Sequence, residues 1–259
     1  MKQPILQLAA ISSLAFTLNS SAAVLHVDLN STNATPPYTN WAMAATNIQD
    51  AIGAADPGDT ILVTNGVYNI GSRLASDGTP NRVMVTNSVT LQSVNGPMMT
   101  LIDGGQMMRC VYLTDGAVLA GFTLTNGVAP ENGGGVWCES VGAVVTNCVL
   151  VGNSASSRGG GASYGTLNNC TLTGNSTPGG GGGGAYSNTL NNCTLTRNSA
   201  GSGGGAYECV LNNCVVRSNT ASFNGGGAYG GALSNCVLTG NSASNAGGGA
   251  FPTSIVSRK

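Results

Sequence analysis

Two patterns of apolar residues divide the chain. Between Asn40 and Asp59, Trp41, Ala45, Ile48, Ile52 and Ala55 recur at spacings of four, three, four and three. That is one face of a helix, and it predicts about four turns over residues 41–55. Asn40 is suited to cap the start, and Gly53 with the run Asp56–Asp59 closes it. Downstream the period changes. "TILVTNGVY", "RVMVTNSVTLQSV", "MTLIDGG" and "AVLAGFTLTNG" are short β-rich runs, each ended by Asn-Gly, Gly-Gly or similar turn chemistry. No second long helical pattern follows, so the chain reads as all-β after one capping helix.

From Asn147 the pattern becomes a repeat. Asn-Cys pairs stand at 147–148, 169–170, 192–193, 213–214 and 235–236, so successive cysteines are 22, 23, 21 and 22 residues apart. A second asparagine follows each cysteine by five residues, at Asn153, Asn175, Asn198, Asn219 and Asn241. Gly-Gly-Ala closes each unit, and the length changes fall in the Ser/Gly/Asn stretch before it, where a loop absorbs them. Such a unit holds two or three short strands, too little to bury a face alone. Stacked as turns of a coil, the units bury a continuous interior. Adjacent turns would lie about 4.8 Å apart, setting Cys on Cys, Leu on Leu and Asn on Asn. In "LNNCTL" the cysteine and the following leucine share a face, whereas the leading leucine lies three residues before the cysteine. The chain must therefore bend at Asn192, and asparagine tolerates the left-handed conformation. The six glycines Gly179–Gly184 read as a turn and the start of a strand, lengthened by an insertion.

The first residues have another logic. Lys2, the apolar run Ile5–Leu18, and Ser21 and Ala23 before Val24 predict a signal peptide over 1–23 and an exported chain, extracellular or at the cell surface. No other apolar run approaches transmembrane length. The remainder divides into a cap (24–58), irregular coils (59–146; about four), regular repeats (147–251; about five) and an uncapped tail (252–259). A bare parallel edge at that tail predicts a truncated member of a longer family. Charged residues make up only 7% and the net charge is -1, which excludes a basic field for nucleic acid.

Several stretches carry a resemblance. "IQDAI…PGDTILVTNGVY", "VTLQSVNGP…TLIDGG" and "GFTLTNG" resemble the opening coils of secreted bacterial right-handed parallel β-helix proteins, the pectate-lyase-like superfamily. The repeats are similar to those of chlamydial-type polymorphic outer membrane proteins, whose pattern alternates GGA[ILV] with FxxN. Here Tyr186, Tyr207, Tyr229 and Phe251 replace the aliphatic residue, and Leu150, Leu172, Leu195, Val216 and Leu238 replace the phenylalanine. The resemblance spans residues 40–251 and implies a right-handed parallel β-helix, a solenoid with an N-terminal capping helix. It also implies what a catalytic member would need: acidic calcium ligands with a basic proton acceptor in lyases, clustered aspartates in hydrolases.

The repeats offer little of that chemistry. From Asn147 to Phe251 there is no aspartate, Glu208 is the one acid, and the bases are Arg158, Arg197 and Arg217. The irregular coils hold Asp77, Asp103, Asp115, Glu131 and Glu139 with Arg73, Arg82 and Arg109. Asp103, Arg109 and Asp115 are the catalytic candidates, although "IDGG" and "TDGA" also read as turns in which the aspartate bonds its own backbone. His26 reads as a surface residue of the first strand. No metal site is expected, since CxxC and GGxGxD are absent and no histidine lies near a cysteine, and no cofactor motif occurs. The five repeat cysteines read as free thiols in small apolar slots; Cys110, Cys138 and Cys209 lie outside that column, with Cys209 placed to approach Cys214 or Cys193. Tyr186, Tyr207, Tyr229 and Phe251 form either an outward column against which sugar rings could lie or an inward core stack. The reading is a non-enzymatic structural or adhesin-like β-helix whose partner is a polysaccharide or a surface protein. The alternatives are a polysaccharide lyase or glycoside hydrolase acting on the irregular coils or lost by truncation, and a glycan-binding module using the aromatic column.

Overall fold

The computed structural model describes residues 21–252 and 254–256; residues 1–20 of the expected leader lie outside them. Four parallel sheets run along one right-handed β-helix. The largest has ten strands, from Val24–Val27 to Ser254–Val256, and its neighbours have eight, six and nine. The six-stranded sheet starts only at Val128–Ala129, so the cross-section gains a side as the repeats begin. One pair is antiparallel, Arg73–Leu74 against Pro80–Val85.

A regular turn contains four strands rather than two or three. The first runs Val144–Thr146, Val149–Val151, Ser154–Ala155 and Ala162–Ser163. Left-handed residues at the corners account for the difference. Asn147, Gly152, Gly159 and Tyr164 have φ of 51, 65, 58 and 59°, and each turns the chain before a strand can lengthen. The asparagine of every Asn-Cys pair is such a corner, with φ between 51 and 55° at positions 147, 169, 192, 213 and 235. The leucine before the pair and the leucine after it thereby both reach the interior.

The core is built of in-register columns. Val145, Leu167, Leu190, Leu211 and Leu233 stack on the ten-stranded face, and Leu150, Leu172, Leu195 and Val216 on the next, all buried. Ala162, Ala185, Ala206 and Ala228 line the nine-stranded face. The glycines before them are themselves a ladder: the amides of Gly182, Gly183 and Gly184 donate to the carbonyls of Ser202, Gly203 and Gly204. A Cβ on Gly183 would collide with the Ser199 carbonyl and lie 2.6 Å from that of Gly204, so no larger residue fits.

Both ends depart from the sequence reading. The helix expected over 41–55 is two pieces, a single 3-10 turn at Trp41–Met43 capped by Asn40 and an α-helix at Ile48–Ala54 capped by Asn47. Between them the chain is recruited as a partner for the first strand, since the Ala45 amide donates to His26 O and Asp28 N donates to Ala45 O. Backbone pairing at the edge of the first coil overrides the helical spacing, and Trp41, 43% exposed, packs on the His26 ring instead of the core. At the other end, Ser254–Val256 adds a strand beside Ala232–Ser234, so part of the expected tail belongs to the sheet.

Candidate functional site

Inside the repeats the second asparagines form a buried amide ladder. The Asn175 side-chain amide donates to Leu150 O (2.9 Å) and to Asn198 Oδ1 (3.0 Å), and the Asn175 backbone N–H donates to that same Oδ1 (2.9 Å). The pattern recurs from Asn153 to Asn219, and Asn241 closes it by donating to Val216 O. Each amide group is therefore satisfied by its neighbours, which removes the cost of burying it. At the head of the ladder Gly127 takes the asparagine's place and the Cys110 thiol fills the vacated space, 3.6 Å from Asn153 Oδ1.

The cysteine column is equally self-contained. All eight cysteines are free thiols. Cys193 Sγ accepts from Cys170 N (3.4 Å) and donates to the carbonyls of Leu167 and Asn191 (3.5 and 3.3 Å). Cys209 bonds Asn188 N and Tyr207 O at its own corner, with no hydrogen bond to Cys193 or Cys214. Burial pushes the thiols of Cys110, Cys138 and Cys209 up to about 12, so they are protonated and unreactive at neutral pH.

The three catalytic candidates are spent separately. Asp103 Oδ1 accepts from Gly105 N (2.8 Å) and Asn126 Nδ2 (3.1 Å), a turn-closing role. Arg109 is 1% exposed; it donates to Asn81 Oδ1 (2.7 Å), Asn132 O (2.9 Å) and Gly133 O (3.0 Å) and lies over the Trp137 ring. Burial lowers its pKa to about 10, opposed by Asp77 and Tyr112. Asp115 accepts from the Ser140 hydroxyl. No hydrogen bond or ion pair joins the three, and among the described residues no three His, Cys, Asp or Glu side chains are placed to hold a metal ion. His26 is half-buried, with Nδ1 donating to Tyr38 O (3.2 Å).

The aromatic column faces outward. Tyr186, Tyr207, Tyr229 and Phe251 pair in register and are half-buried, while the alanine before each of the first three points into the core. Outward placement does not free the ring faces. Tyr186 and Tyr207 stack at 5.4 Å and 13°, Tyr207 and Tyr229 at 4.8 Å and 12°, and Phe251 follows tilted at 5.9 Å. Arg158 covers the Tyr186 ring at 5.1 Å. A strand spacing near 4.8 Å brings consecutive rings into face contact, so the column offers edges and hydroxyls rather than faces for sugar rings. The same register extends back through Ser163 and Trp137 to Tyr112, whose ring lies 5.0 Å from that of Trp137. The sequence carried a signal for Trp137, since "GGGVW" at 133–137 is the Gly-Gly-Ala-Tyr pattern with larger residues; nothing marked Arg158.

Beside this ridge lies a polar groove of about 300 Å³ lined by Ser157, Arg158, Gly179, Gly180, Gly181, Tyr186, Ser202 and Tyr207. Its wall is the glycine insertion, where the pairing register shifts between Thr177 and Gly181. Gly181 is obligatory there because a Cβ would lie 2.8 Å from the Tyr207 ring. A second recess, of about 230 Å³, lies between the α-helix and Tyr68, Ile70 and Arg82 and is mainly apolar.

No family model matches the chain, and no curated protein does. Solved structures do. Pectate lyase Pel9A is 15% identical over 93% of this chain and 79% of its own, with a TM-score of 0.52. Pectin methylesterase PemA from Erwinia chrysanthemi is 13% identical over 86% of this chain and 82% of its own, with a TM-score of 0.51. The Escherichia coli protein YbhC is 10% identical over 96% and 89%, with a TM-score of 0.52. Likeness at this level of identity establishes the architecture alone: the chain has the right-handed parallel β-helix fold of pectate-lyase-like proteins.

Proposed function

We propose that the chain is a non-enzymatic β-helix of the cell exterior, structural and adhesive, which holds a polysaccharide or a surface protein against its repeats without turning it over. The observation that carries this reading is the dispersal of Asp103, Arg109 and Asp115, each consumed by a separate structural bond, with Arg109 inaccessible to any ligand. Export rests on the leader-like pattern of residues 1–23, and surface placement on the similarity of the repeats to those of polymorphic outer membrane proteins. The fold itself decides neither way, because β-helices carry lyases, esterases and inert spacers alike.

The test uses the chain from Val24 against acidic and neutral polysaccharides, with and without calcium. Each mixture is assayed for new chain ends and, by pull-down, for bound protein. Binding without new ends, or neither, is the expected outcome. New chain ends would overturn the reading in favour of a polysaccharide-active enzyme on the irregular coils, and Asp103→Asn would then be the first variant to assay.

A further inference from the structure

We propose that the groove beside Tyr186 and Tyr207 is an anion site, with Arg158 as counter-ion to a carboxylate or sulfate group carried on a sugar chain. The inference rests on the binding reading above and gives it a ligand class and a place. The backbone of Arg158 is fully engaged, donating to Glu131 O and accepting from Gly133 N. Its side chain is exposed and lies over the Tyr186 ring, and among the described residues no ion pair joins it to a carboxylate, although Glu131 lies on the adjacent turn and Glu208 beside Tyr207. A planar fork held over a ring, with its donors free, is suited to bidentate capture of an oxyanion.

The surroundings specify a sugar as the carrier. Hydroxyl-bearing Ser157, Ser202, Tyr186 and Tyr207, together with glycine backbone, line the groove, whose surface is more polar than apolar. Polyhydroxylated rings can exchange hydrogen bonds with such a wall, whereas a peptide would leave its side chains unplaced. Burial, and then Glu208, raise the Tyr207 hydroxyl above the ordinary phenol range, so it remains a donor. The charge distribution agrees. Residues 147–251 carry three arginines against one glutamate, whereas residues 24–146 carry nine acids against three arginines. An anionic polymer is therefore repelled by the first coils and drawn to the repeats.

The experiment measures equilibrium binding of the chain from Val24 to labelled polygalacturonate, dextran sulfate, neutral dextran and poly-glutamate at low and moderate salt. Arg158→Gln is compared with Arg197→Gln, which removes an equal, exposed charge at a corner of another face. Arg158→Gln is expected to weaken binding of the anionic glycan about tenfold with an unchanged unfolding midpoint, while Arg197→Gln changes it less than about twofold. Binding of polygalacturonate alone identifies a carboxylate as the ligand group, and binding of dextran sulfate alone identifies a sulfate. Equal losses in both variants, dextran held as tightly as the charged glycans, or poly-glutamate preferred to them would each overturn the site while leaving the binding reading in place. Shortening of the glycan would overturn the non-enzymatic reading and leave the Arg158 comparison intact.

Discussion

The coils before and after Asn147 bury polar groups by opposite means. In the first stretch each need is met individually: Arg109 serves Asn81, Asn132 and Gly133, the Asp59 carboxylate accepts from Ala23 N and Asp56 N, and the hydroxyls of Ser93 and Thr100 bond each other. In the repeats one asparagine per turn serves the coil behind it and the coil ahead. Among the described residues, the buried side-chain polar atoms without a hydrogen-bond partner, Ser31 Oγ, Asn87 Oδ1, Asn132 Oδ1 and Trp137 Nε1, all fall in the first stretch. Singular solutions create singular shape, and they leave exceptions behind. A ladder leaves none, but it makes every rung depend on the next.

That dependence can be broken at one rung. Asn198→Leu removes the acceptor for both Asn175 N and its side-chain amide and the donor to Leu172 O. With buried polar groups left unpaired at about 1–3 kcal/mol each, the loss should be about 4 kcal/mol. Chemical denaturation measures it, and a loss under about 1 kcal/mol would show that the ladder is not cooperative.

The thiols sharpen the contrast through pH. Cys110 and Cys138 in the first stretch and Cys209 in the second remain protonated in the fold to about pH 12, whereas the ordinary thiol value is 9.0. Their contribution is complete below pH 9 and is lost as pH rises through that window towards 12. Each should steepen the alkaline fall by about 1 kcal/mol per pH unit. Denaturation midpoints across the range should show Cys138→Ala with a shallower slope than the parent; an identical slope would refute the burial argument for that thiol.

The smallest effect concerns glycine. Gly183 has no room for a Cβ, whereas Gly53 in the capping helix has nothing within 4 Å of one and a φ outside the left-handed region. Gly53→Ala should therefore raise stability by about 0.5–1 kcal/mol, seen as a higher thermal midpoint. A drop would mean that the cap is more tightly packed than its open side shows.

The stacking axis and register were legible because identical residues recur at fixed offsets: the asparagine at each cysteine plus five, and the alanine after two glycines. The corner before each cysteine was legible for the same reason. The other corners were not, because a left-handed residue is fixed by backbone geometry and its occupant varies, as at Gly152, Gly174, Arg197 and Ser218, or at Tyr164, Ser187 and Glu208. The split helix was hidden because the bond between Ala45 and His26 joins segments whose proximity no local period encodes. Of the candidate site, the tyrosines were visible as a series, but their direction was not, since the glycines before them permit either. Arg158 carried no pattern at all; only the folded register sets it over Tyr186.

The saturated asparagine ladder also has a consequence for heredity. Because Asn175 and Asn198 present the same donors and acceptor to their neighbours, removing residues 176–198 would bring Asn175 into the place Asn198 held, with the following turn already in register. Unequal exchange between such near-identical stretches of a gene would delete or duplicate a whole turn and return a protein with an intact cross-section. The reach of the molecule can thus vary between descendants in steps of one coil, while the irregular coils, whose parts are not interchangeable, are held to a single form.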